Sequence, residues 1–132
     1  DTPRWPSATF AAAADESLAH GSSFRLADAT DFEWDKAHIF AGYASNAAID
    51  RQLGFRWRAI SRPNIATTDA RQLLVFVKDG RVVRYADMPG PVHTHGFVFD
   101  VSSPMSSDIV LTATRERGQV VVRPTSPLPS GP

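Results

Sequence analysis

A chain of 132 residues with 14 Lys and Arg against 14 Asp and Glu carries no formal net charge, which removes the long-range positive field that unspecific binding to nucleic acid or anionic lipid draws on. Its 42% hydrophobic and 10% aromatic content, three tryptophans included, supplies one core without staples, so a single domain over residues 1–132 is expected. The absence of cysteine excludes thiol catalysis, disulfides and cysteine-ligated zinc, and no stretch approaches the roughly 20 apolar residues of a membrane-spanning helix.

The alanine-rich residues 8–20 predict a helix, with Ser7 as N-cap and Gly21 as stop. Residues 22–31 then turn polar. Residues 32–40, FEWDKAHIF, carry the aromatic and β-branched character of a strand. Ser45 heads a second, short helix over 46–54, ended by Gly54. In FRWRAIS, residues 55–61, Phe55, Trp57 and Ala59 alternate with Arg56 and Arg58, as in a half-buried strand.

The plainest local signal lies at 72–87, where two β-rich arms meet at Asp79-Gly80, a pair suited to the positive φ angles of a tight hairpin. MPGPVHTHG reads as loop, residues 96–101 as a brief strand, and 108–124 as a second hairpin turning at Gly118, with Ile109, Leu111 and Ala113 on one face. The proline-rich residues 124–132 predict an extended arm. The order of elements fits an α+β fold: a single, mainly antiparallel sheet with two helices packed on one face.

Asp35 and Lys36 are the first candidates for chemistry. Neighbours on a strand point to opposite faces, which disfavours joint work on one substrate atom, so Trp34 is expected to anchor the core while Asp35 and Lys36 serve the fold. His93 and His95 form a His-x-His near Asp87 and Asp100. They could hold a divalent metal if further ligands joined them, but an exposed pair of histidines in a turn is the ordinary case. Gly-x-Ser-x-Gly, Ser-x-x-Lys, His-Glu-x-x-His and glycine-rich phosphate loops do not occur, so no catalytic residue and no cofactor is assigned.

Arg51, Arg56, Arg58 and Arg62 surround Trp57. Arginine and tryptophan are enriched at binding hot spots and arginine pairs bidentately with carboxylates, so this strip could grip an acidic protein surface, with His93 and His95 as further contact residues. The plain alternative is a solvated strand face over a core tryptophan.

Phe32, Trp34, Asp35 and Lys36, then Phe40 and Tyr43, Ile49, and Leu53-Gly54-Phe55, followed by the hairpin Leu73 to Val77, Asp79, Gly80, Val82 and Val83, form a combination that resembles a family of small bacterial cell-envelope proteins, often lipoproteins. The resemblance covers residues 9–87 and departs from the usual pattern at Ala41 and Ala44. It implies an exported α+β domain and carries no catalytic residues, with Tyr43 among its structural positions. A start at Asp1 with a polar DTPRWPS lead fits a trimmed export signal or a lipid anchor upstream. The functional expectation is a non-enzymatic periplasmic or envelope binding protein, of inhibitor or immunity type, that occludes a partner enzyme or toxin and binds no nucleic acid. The alternative is a metal-binding protein or metal-dependent hydrolase using His93 and His95.

Overall fold

The computed structural model describes residues 3, 5, 7–41, 44–58, 71–89, 97–101 and 103–125. In chain order they form α1 (Ser7–His20), β1 (Ser23–Arg25), a 3-10 turn (Leu26–Ala29), β2 (Lys36–Ala41), α2 (Asn46–Leu53), β3 (Arg71–Lys78), β4 (Arg81–Pro89), β5 (Phe97–Phe99), β6 (Met105–Ser106), β7 (Val110–Glu116) and β8 (Gln119–Pro124). The α+β class is as expected. The single sheet is not: the strands divide into a central antiparallel sheet of order β4-β3-β2-β6 and a second sheet of order β1-β7-β8-β5. In the second sheet β1, β7 and β8 are antiparallel, and β5 joins β8 in parallel.

Both faces of the central sheet are covered, and β3 shows why. Leu73, Leu74, Val75, Phe76 and Val77 are all buried; successive strand residues point to opposite sides, so a continuous apolar run requires a covering layer on each. Leu74 and Phe76 join Ala37 and Ala86 in a core shared with Phe10 and Ala14 of α1 and with Leu111, Ala113 and Val122 of the second sheet. Leu73, Val75 and Val77 pack with Phe40, Ile49 of α2, Trp57 and Tyr85. The two helices therefore lie on opposite faces of the central sheet, not on one.

Local chemistry sets the ends of these elements. In α1, which begins at Ser7 itself, Phe10, Ala14 and Ser17 are buried at helical spacing. The Ser17 hydroxyl donates to the Ser22 carbonyl and accepts the Ala113 N–H at 3.1 Å, tying the helix to β7. In α2 the Ser45 hydroxyl accepts the Ala48 N–H at 3.1 Å, and Gly54, at φ 85°, closes the helix by donating to the Asp50 carbonyl. Both hairpins turn through two consecutive positive-φ residues, Asp79-Gly80 and Arg117-Gly118, the twist that two-residue turns favour.

Several boundaries move. The strand expected from residue 32 begins at Lys36, because residues 32–35 turn Phe32 and Trp34 down onto Phe76, with ring centroids 5.0 and 5.1 Å away. Residues 55–58 keep the expected in-and-out alternation but form no strand. The polar stretch after α1 holds β1, whose three residues pair with Val110, Leu111 and Thr112 of β7. Met88 and Pro89 extend β4, and Pro124, expected in the arm, still pairs with Leu111. Thr125 N–H then donates to the Val110 carbonyl at 2.8 Å; residues 126–132 lie outside the described part.

Candidate functional site

Of the residues singled out by sequence, Trp34 and Asp35 make contacts within the fold. Trp34 is buried, and its indole N–H donates to the Thr30 hydroxyl at 3.0 Å, which in turn donates to the Ala27 carbonyl. Asp35 donates its backbone N–H to the Val77 carbonyl at 2.9 Å and accepts the Asp79 N–H on its carboxylate at 3.3 Å. Lys36 is exposed and opens β2 opposite Val77 and Ser106. Asp100, weighed as a metal ligand, receives Arg123 Nε at 2.9 Å, and the same guanidinium bonds both oxygens of Glu116; these Arg123 bonds, then Thr114, hold the Glu116 carboxyl below its ordinary range. Tyr43, Arg62, His93 and His95 lie outside the described residues. Among the described residues, no three His, Cys, Asp or Glu converge as a metal site requires.

Around Trp57 the sequence reading and the geometry coincide. Gly54 ends α2 and releases a short segment in which Trp57 is buried to 5% exposure while Arg56 and Arg58 are exposed on either side. The Trp57 ring lies 5.6 Å from that of Tyr85 on β4, and its backbone N–H donates to Asp50 Oδ1 at 3.3 Å. A buried aromatic and a carboxylate from the preceding helix thus fix the stem from which two guanidinium groups project. Lys36 on β2 and Arg51 on α2 are also exposed. Between Lys36 and Arg58 the sole carboxylate is Asp50, which already serves the Trp57 amide. On the opposite face, α1 and the segment after it expose Asp15, Glu16, Asp28, Asp31 and Glu33, with Arg25 among them and Lys78 lying 3.8 Å from Glu33.

Beside α2 a groove of about 570 Å³ runs along the outer edge of β2. It is lined by Ile39 and Phe40 of β2, Ala48 and Gln52 of α2, and Ala44, Val101 and Ser103. The groove exists because β6 pairs with β2 only at Lys36 and Ala37. Continuing that register places Ser103 opposite Ile39. There it answers with its side chain: the hydroxyl accepts the Ile39 N–H at 2.9 Å and leans on the Ile39 carbonyl at 3.4 Å.

His38 stands next to it, buried at 5% exposure and stacked on Phe40 at 6.0 Å with rings 5° from parallel. Its Nδ1 is buried without a hydrogen-bond partner, as is Oε1 of Gln72, whose residue pairs with Ala41 at the far end of β2. Burial, then the charge of Lys36, pushes the His38 pKa down. Sequence reasoning overlooked His38, Gln52, Val101 and Ser103. A lone histidine among Ala37, Ile39 and Phe40 was the available signal for the first; the others meet only through tertiary structure.

The arrangement offers fixed cations, an apolar slot and a backbone edge, which are the means of binding a protein surface. No protein-family model matches this chain, and no match to it was found among curated proteins or solved structures. Among the described residues no helix is long and apolar enough to cross a membrane.

Proposed function

We propose that this chain is a non-enzymatic binding domain of the bacterial cell envelope, of inhibitor or immunity type, which covers an acidic surface of a partner enzyme or toxin with the face built on α2 and Trp57. The observation that carries the reading is the display of Arg56 and Arg58 from either side of a buried Trp57 held by Asp50. Guanidinium groups on an immobilised stem lose less conformational freedom on binding than groups on a free loop, and their planar forks match carboxylates. With Lys36 on β2 and Arg51 on α2 also exposed, the face repels basic partners and selects acidic ones. Placement in the envelope rests on the family resemblance of residues 9–87.

The test is affinity capture from an envelope extract, comparing the native chain with an Arg56→Glu/Arg58→Glu variant. Both side chains are exposed, so the variant is expected to fold normally by circular dichroism. A protein retained by the native chain and lost by the variant, identified by mass spectrometry, supports the reading. Equal retention by both, or none by either, overturns it.

A further inference from the structure

We infer that His38 makes the binding face acid-sensitive: its protonation is met by opening of α2 and of the segment after it that carries Arg56, Trp57 and Arg58. The control of binding rests on the role proposed above; the opening does not. Alternation along β2 sets the geometry. Ala37 and Ile39 turn into the core shared with α1, so His38 turns with Phe40 to the other side, where Phe40 packs with Ile49 of α2, Trp57 and Tyr85. There the imidazole is buried and stacked on the Phe40 ring, and its Nδ1 has no hydrogen-bond partner among the described residues.

The charged groups around the ring do not favour a proton there. Lys36, two residues back on the same side of β2, is a cation. Across the sheet His38 faces Val75 and then Tyr85, while Asp87 pairs with Leu73, in the row of Phe40. The one carboxylate of α2, Asp50, receives the Trp57 N–H, and Arg51, Arg56 and Arg58 are cations. Asp35 receives the Asp79 N–H, and Asp108, just beyond β6, the Ser106 hydroxyl. A proton on His38 therefore puts a charge beneath an apolar cover and beside a like charge, and water is what relieves it. An eight-residue helix is held by its packing more than by its own propagation. The sheet beneath is paired strand to strand, so α2 is the part that yields.

Burial, then the charge of Lys36, holds the pKa of the ring below the ordinary 6.5. An opened layer returns the imidazole to water, where it takes the proton that the closed layer refuses, so opening is favoured as pH falls through 6.5. One pH unit lower, the gain approaches about tenfold. A partner held by Arg56 and Arg58 and released through the open layer leaves faster in the same proportion, so the face holds at neutral pH and lets go in mild acid.

Amide hydrogen exchange of the full chain at about pH 7 and about pH 5.5, corrected for the intrinsic pH dependence of exchange, tests this. The reporters are Ile49 and Gly54, whose N–H groups donate to the Ser45 and Asp50 carbonyls at 2.9 Å. Their exchange is expected to quicken about tenfold in acid, without response to low, sub-denaturing urea, as an opening that exposes little surface requires. His38→Phe and His38→Gln, each checked for fold by circular dichroism, are both expected to lose the acid response. An unchanged rate in the native chain, a response that persists in either variant, or a urea dependence equal to that of the Ala113 N–H on β7, bonded to Ser17, overturns the proposal, for then only global unfolding exposes α2. A partner captured at neutral pH through Arg56 and Arg58 but retained equally through a wash at about pH 5.5 overturns the control and leaves the binding role standing. Tenfold acid opening in a chain that captures no partner upholds the opening and sinks the binding role.

Discussion

Asp35 reaches across to the hairpin between β3 and β4 and accepts the backbone N–H of Asp79 at 3.3 Å. That donor belongs to the first of two positive-φ residues in the turn, so the carboxylate braces the hairpin at its tightest point. Asp35→Ala is expected to lower stability by about 0.5–1 kcal/mol, and Asp35→Asn, which keeps an acceptor oxygen, by less than half of that. Urea unfolding of the pair measures the difference. Equal loss in both variants would assign the effect to charge and not to the hydrogen bond.

Ser17 is a stronger test of the packing between α1 and the second sheet. Its hydroxyl is buried and accepts the N–H of Ala113, ninety-six residues away in sequence. Ser17→Ala leaves a buried backbone donor unmet, and a cost of about 1–3 kcal/mol is expected in chemical denaturation. Faster amide exchange at Ala113 would locate the loss.

Phe76 sits where the Trp5, Phe32 and Trp34 rings converge, all edge-on, with centroids between 5.0 and 5.1 Å. Phe76→Ala removes the shared partner of three aromatic contacts and opens a cavity, so a loss of about 3–5 kcal/mol is expected. That is a large part of the stability of a domain this size. Phe76→Leu should recover much of it in the same unfolding assay.

How far these relationships could be read from the sequence depends on how local they are. Ser45, Gly54, Asp79-Gly80 and Gly118 act on residues a few positions away, and each does what the sequence indicated. The buried Trp57 between exposed arginines was likewise legible, because alternation shows in the residues themselves even where no strand forms. In the second sheet, β5 and the hairpin of β7 and β8 were legible, but β1 and the separation into two sheets were not. That sheet joins β1 to β7 and β5 to β8 across long stretches of chain, and a three-residue strand such as β1 carries too little pattern to declare itself. The unbroken apolar run of β3 did imply two covered faces, and it contradicts a helix layer on one side alone. The groove drew residues from β2, from α2 and Ala44 before it, and Val101 and Ser103, a meeting no local pattern records.

Acidity should be felt through His38. Its folded-state pKa lies below the ordinary 6.5, so as pH falls through 6.5 the unfolded chain takes up a proton that the folded one refuses. Stability contributed by the neutral imidazole is complete above that pH and declines below it, until the folded pKa is reached. Denaturation midpoints between about pH 7 and pH 5.5 are expected to fall in the native chain and to flatten in His38→Phe, with the carboxylates titrating mostly below this window. An unchanged slope in the variant would remove His38 as the cause.

With exposed acids on α1 and the segment after it and exposed cations after α2, this molecule of zero formal net charge still presents local fields of both signs. In the field of a charged neighbour such a body experiences torque before it experiences net attraction. Ionic strength would then govern how often an encounter is correctly oriented, and not how often the two molecules collide.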